Sequence, residues 1–144
     1  MLKGINPLVG PDLLAIMRAM GHGDEIVVVD ANFPASSVAR RLVRMDGTSA
    51  TEVAGAILAL LPLDNFDLDA AFRMGVTGAP EQVPDVVVEF QRLLEAVGYT
   101  RRIAQIERMA FYERARAAYA IVATGETRLW GNLILKKGAI APGT

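Results

Sequence analysis

The apolar positions of the chain alternate between two rhythms, one helical and one extended. From Pro11 the spacing is helical, with Leu13, Leu14, Met17 and Met20 on one face. Pro11 suits the first helical position and Gly21 the left-handed residue that ends a helix. The rhythm then changes to Glu25-Ile26-Val27-Val28-Val29, a β-branched run that reads as a buried strand closed by Asp30. Asn32-Phe33-Pro34 forces a loop, and a short strand near Leu42–Arg44 follows. Residues 51–61 read as a helix with Val53, Ile57 and Leu60 inward, residues 71–76 as a strand, and residues 84–97 as a helix with Val87, Phe90, Leu94 and Val97 on one side. Residues 102–107 alternate as a strand does, with Ile103 and Gln105 on one side and Ala104 and Ile106 on the other. A short helix is predicted over 111–118, then strands over 120–123 and 133–135, paired like a hairpin around Gly125 and Gly131.

About six strands interleaved with about four helices, without an internal repeat, predict an α/β fold. The expected architecture is a three-layer sandwich with a mixed central sheet. The 144 residues fit one domain, spanning 1–144.

Composition narrows the function classes. With 52% hydrophobic and 22% charged residues, a disordered chain is excluded, and some apolar surface is left over for subunit contacts or a well-filled core. The net charge is −1 with no basic run, which argues against nucleic acid and anionic membranes. The absence of cysteine removes disulfides and thiol catalysis, and the single histidine removes every multi-histidine metal site. The residues from Met1 to Pro7 lack the layout of a signal peptide, and no apolar run approaches the roughly 20 residues of a membrane helix. A cytoplasmic address is expected.

Candidate chemistry is sparse. His22 lies between two glycines that let the backbone turn tightly. It reads either as a helix-end histidine favoured by the helix dipole or as an acid–base group, since an unperturbed imidazole titrates at about 6.5. Asp30 ends a buried strand, where ligands bind in parallel sheets, or it caps the turn that follows. Arg108 follows a strand directly, and Arg114 reads as part of a solvated helix face. Trp130-Gly131-Asn132 joins a large ring to a flexible backbone and an amide, either as an anchored turn or as a sugar platform. The three aspartates between Leu63 and Asp69 lack the glycine and spacing of a calcium loop and read as solvated. No dinucleotide fingerprint, phosphate loop or serine elbow is present.

Gly21-His22-Gly23-Asp24, Asp30-Ala31-Asn32-Phe33-Pro34, Arg108, Phe111-Tyr112-Glu113-Arg114-Ala115, Thr124-Gly125-Glu126 and Gly131-Asn132 through Lys136-Lys137-Gly138 occur in that order across nearly the whole chain. Together they resemble the fucose mutarotase and ribose pyranase family. The likeness is greater to its fucose branch, because the ribose branch is less similar around residues 111–115 and at Gly23 and Gly131. The resemblance implies that His22 is the proton donor and that Asp30, Arg108, Trp130, Gly131 and Asn132 contact the sugar. It implies anomer interconversion without cofactor or metal, in a ring-like homo-oligomer. The rival readings are a ribose pyranase and a ring that binds a monosaccharide without catalysis. One departure is Trp130, where the family usually carries tyrosine. An indole N–H donates but does not accept.

The strand between His22 and Asp30 raises a geometric problem. Five extended residues separate their ends by roughly 15 Å, too far for one monosaccharide to bridge. Either the glycine loop folds back, or a neighbouring subunit brings one group beside the other. Sharing is preferred.

Overall fold

The computed structural model describes residues 1–144. Its elements run α1 (Pro11–Ala19), β1 (Glu25–Val29), α2 (Ala35–Val38), β2 (Leu42–Met45), α3 (Ala50–Leu58), β3 (Ala71–Met74), α4 (Asp85–Ala96), β4 (Ala104–Ile106), α5 (Arg108–Ala117), β5 (Ala120–Thr124) and β6 (Leu133–Lys136). The strands form one sheet in the order β2-β5-β1-β6-β3-β4. β1 is parallel to β5, β5 to β2 and β3 to β4, while β6 is antiparallel to both β1 and β3. Five strands therefore point the same way and β6 alone is reversed.

The expected hairpin between the last two strands does not form. β1 lies between them, with Val28 opposite Val122 of β5 and Leu133 of β6. Spacing along the chain revealed two consecutive strands, but not that the buried apolar run of β1 inserts between them. The mixed sheet stands, for a different reason.

Helices cover both faces, as a three-layer sandwich requires. On one face Leu13, Met17, Val53, Ile57, Phe90 and Leu94 of α1, α3 and α4 pack on Ile26, Val28, Val122 and Leu135. On the other, Ala35, Val38, Phe111 and Ala115 of α2 and α5 pack on Val27, Val29, Ile121 and Ile134. Alternate residues of each central strand thus enter opposite cores, which is why those strands read as unbroken apolar runs. α2 is a fifth helix that the sequence rhythm missed, because a single turn carries no periodicity.

Helix starts follow local chemistry. Ser49 and Glu52 form a reciprocal capping box that opens α3. Glu107 caps α5 by accepting from the Met109 and Ala110 N–H groups. α5 therefore begins at Arg108, three residues before the predicted Phe111, and carries Arg108 on its first turn. No helix is long and apolar enough to cross a membrane.

Candidate functional site

Because five strands are parallel, their carboxyl ends meet at one edge of the sheet. Asp30 leaves β1 there, Met74 ends β3, Arg108 follows β4, and the reversed β6 brings Asn132 to the same edge. Asp30, Arg108, Trp130 and Asn132 line one cleft of about 160 Å³, with Phe33, Met74 and Tyr112. Four of the six predicted site residues are brought together in this way.

Asp30 and Asn132 form the floor, both buried. The Asp30 N–H donates to Asn132 Oδ1 (2.9 Å), and Asn132 Nδ2 donates to Asp30 Oδ2 (3.1 Å). The Asn32 N–H donates to Asp30 Oδ1 at 3.0 Å, so Asp30 caps the turn that follows β1 and also lines the cleft. Burial pushes the Asp30 carboxyl above its ordinary value, against the opposing hydrogen bonds of Asn32 and Asn132. Arg108 is exposed on the rim, its guanidinium carbon 5.9 Å from the Tyr112 ring centre.

Trp130 and Gly131 exchange their expected roles. The left-handed backbone falls on Trp130, at φ 68°, a costly conformation for a bulky side chain. Gly131 does not line the cleft. It is buried where a Cβ would come within 3.0 Å of Glu126 Cγ and 3.3 Å of the Arg128 carbonyl oxygen, so it permits close packing. The strained turn aims the indole into the cleft while it also packs on the core of the α5 face.

His22 is elsewhere. It sits at the amino edge of the sheet, where Gly23 turns the chain at φ 90°. The Gly23 N–H donates to the Lys137 carbonyl and the Lys137 N–H to the Asp24 carbonyl, both at 2.8 Å. The loop is thereby tied to the end of β6 and does not fold back toward Asp30.

The group missed from the sequence is Asp64. The connection over 63–69 was expected to be solvated, but the Asp64 side chain is only 1% exposed and lies 2.8 Å from His22 Nε2 through Oδ1. Its Oδ1 also accepts from the Phe66 N–H and its Oδ2 from the Asp67 N–H, each at 3.2 Å. Burial raises the carboxyl, and the hydrogen bonds from His22, Phe66 and Asp67 outweigh it, holding Asp64 below its ordinary value. An ionised carboxylate only accepts, so Nε2 carries the proton and Nδ1 is the ring nitrogen without a partner. The Phe66 ring lies 5.0 Å from the imidazole, centre to centre.

Arg114 also departs from expectation. Instead of a solvated face, it forms three hydrogen bonds of 2.6–3.1 Å with the Glu25 carboxylate and covers the Phe72 ring at 3.7 Å. It is long enough to cross the sheet face from α5, which helical spacing alone does not reveal. No group of three or more His, Asp or Glu side chains gathers to hold a metal ion.

The geometry defines an α/β domain with a small polar, aromatic-flanked cleft at the carboxyl edge of its sheet and a separate His–Asp pair at the amino edge. The RbsD / FucU transport protein family matches residues 3–140, and the chain belongs to that family. Among its relatives, the fucose mutarotase of Homo sapiens is 46% identical over 147 residues, covering 97% of this chain and 95% of that protein. The L-fucose mutarotase of Histophilus somni (strain 2336) is 43% identical, covering 96% of each. The crystal structure of the Streptococcus pneumoniae fucose mutarotase in complex with L-fucose superposes with a TM-score of 0.90 at 43% identity, covering 97% of this chain and all of that one. Bacillus subtilis RbsD complexed with D-ribose superposes at 0.73 with 19% identity, a likeness of fold alone.

Proposed function

We propose that this chain is an L-fucose mutarotase whose active site is completed by two subunits. Full-length relatives of that activity at over 40% identity support the reaction. The two-subunit site rests on one observation. The only imidazole is at the opposite sheet edge from the cleft, and its loop is pinned there.

Asp30, Asn132 and Arg108 bind sugar hydroxyls, and Trp130 covers an apolar face of the ring. His22 of a neighbouring copy presents Nδ1 to the sugar. Its imidazolium gives a proton to the ring oxygen while water takes the proton of the anomeric hydroxyl, the C1–ring-oxygen bond breaks, and the open aldehyde forms. Rotation about C1–C2 and reclosure on the other face of the carbonyl return the protons and give the second anomer. Neither redox change nor a covalent intermediate is involved.

Exposed apolar side chains accompany both halves, Phe66 against the His22 ring and Leu129 on the cleft, with exposed Leu68 and Met109 in the same segments of chain. Two different patches that meet make a heterologous contact, which closes into a ring when the rotation between copies permits. A cytoplasmic site of action belongs to the same reading.

Saturation-transfer NMR of L-fucose, with and without protein, tests the activity. Binding without faster exchange would overturn it, and faster exchange of D-ribose than of L-fucose would favour the pyranase. Co-assembly tests the sharing. A His22→Ala chain and an Asn132→Ala chain, each inactive alone, are expected to regain about a quarter of the sites when mixed equally and reassembled. No recovery in mixed oligomers counts against a shared site.

Trp130→Ala is expected to weaken L-fucose binding by about 1 kcal/mol or more, the scale of one aromatic contact. Titration calorimetry measures it. Unchanged affinity would leave Trp130 with only its packing role.

A further inference from the structure

A second recess, of about 420 Å³, opens between α4 and the β3–β4 edge of the sheet. It shares no residue with the sugar cleft. Arg73 enters it from β3 and is only 6% exposed. Its Nη1 donates to the Gln82 carbonyl (3.3 Å) and its Nη2 to Gln105 Oε1 (2.7 Å), both neutral acceptors. Arg92 of α4 and Arg102, just before β4, line the same recess. None of the three arginines forms an ion pair, and Glu95 is the only carboxylate on the lining.

A buried guanidinium without a counter-charge carries an uncompensated desolvation cost. Burial holds Arg73 below the ordinary guanidinium value, and no carboxylate opposes that shift. The guanidinium has five N–H donors and remains charged at neutral pH, so two neutral acceptors leave donors unused. Arg73 Nε has no protein partner, and no buried side-chain nitrogen lacks one, so this nitrogen is open to solvent. Three cations against one carboxylate leave an excess that matches a dianion. Planar guanidinium forks suit phosphate oxygens in particular. The other wall is apolar, with Val83, Val87 and Ile103, and fits the carbon portion of an ester.

We propose that this recess is a binding site for a small phosphate monoester, held by Arg73, Arg92 and Arg102. It is independent of the sugar reaction. Arg92 and Arg102 are exposed, so their replacement by glutamine leaves the core intact.

The experiment is calorimetric titration of the full-length assembly at fixed ionic strength with glycerol 3-phosphate, inorganic phosphate and glycerol. The expected result is saturable binding of glycerol 3-phosphate, weaker binding of inorganic phosphate at the same site, and none of glycerol. Arg92→Gln and Arg102→Gln are each expected to lower the affinity about tenfold. L-Fucose exchange and the unfolding midpoint, followed in the same variants, report an intact assembly. Absence of saturable binding, or binding indifferent to both substitutions, overturns the site. Inorganic phosphate binding as tightly as the ester overturns the monoester. A carboxylate of a second copy seated among the three guanidiniums, in a crystal structure of the assembly, overturns the proposal in favour of a subunit contact.

Discussion

Replacing His22 with alanine is expected to return L-fucose anomer exchange to its rate in buffer, while the protein remains folded. The chain has no other imidazole, and a positioned general acid–base contributes about 10²–10⁴-fold. The fold does not depend on this ring. The His22 side chain is 45% exposed, and Asp64 keeps its backbone partners Phe66 and Asp67 when it is gone. The loop is held by backbone hydrogen bonds from Gly23 and Lys137, which the substitution leaves in place. Saturation-transfer NMR and a thermal melt make the two measurements. A folded His22→Ala protein that exchanges anomers at a near-normal rate would sink the mechanism.

The parallel sheet made much of the cleft legible in advance. A β-branched run ending in aspartate puts a carboxylate at a strand's carboxyl end, where a ligand group or a turn cap is expected, and Asp30 lines the cleft there. Asn132 and Trp130 follow from the same logic once β6 is known to run backward, because its start lies at that edge. The reversal itself was inferred from a hairpin that does not exist. Order along the chain carries no information about which strand slips between two others, and the strongest apolar run, β1, took the centre.

Asp64 was not legible, for a different reason. Its neighbours Asn65, Phe66, Asp67 and Leu68 are all exposed, so the local pattern looks like a solvated loop. One carboxylate in that loop turns inward and meets a histidine 42 residues away in sequence. A local window contains only its turn chemistry, in which an aspartate accepts the N–H groups of the next residues. Arg108 shows the intermediate case. Its place after a strand was readable, whereas the Glu107 cap that puts it on a helix depends on a residue seldom weighed as a helix start.

Asp64→Asn is expected to lower the exchange rate by roughly 10²-fold or more, as loss of a histidine-orienting carboxylate does elsewhere. The amide keeps the shape but not the charge. If its oxygen faces His22, the amide nitrogen opposes the Asp67 N–H that Oδ2 now accepts; if it flips, it donates to Nε2 and imposes the other tautomer. In neither case is the imidazolium supported as it gives up its proton. The same substitution has a pH signature in stability. The Asp64 carboxyl is held below its ordinary value in the folded chain. Its stabilising share is therefore present above the ordinary aspartate range and is lost as the pH falls through the depressed folded value. The asparagine variant lacks that share at every pH. It should melt lower than the parent near neutrality, with the difference shrinking in acid. Thermal melts across pH and exchange rates at one pH check both halves. A variant with parental exchange would remove Asp64 from the mechanism, and a melting difference that stays constant into acid would show that the buried carboxylate's charge does not stabilise the loop.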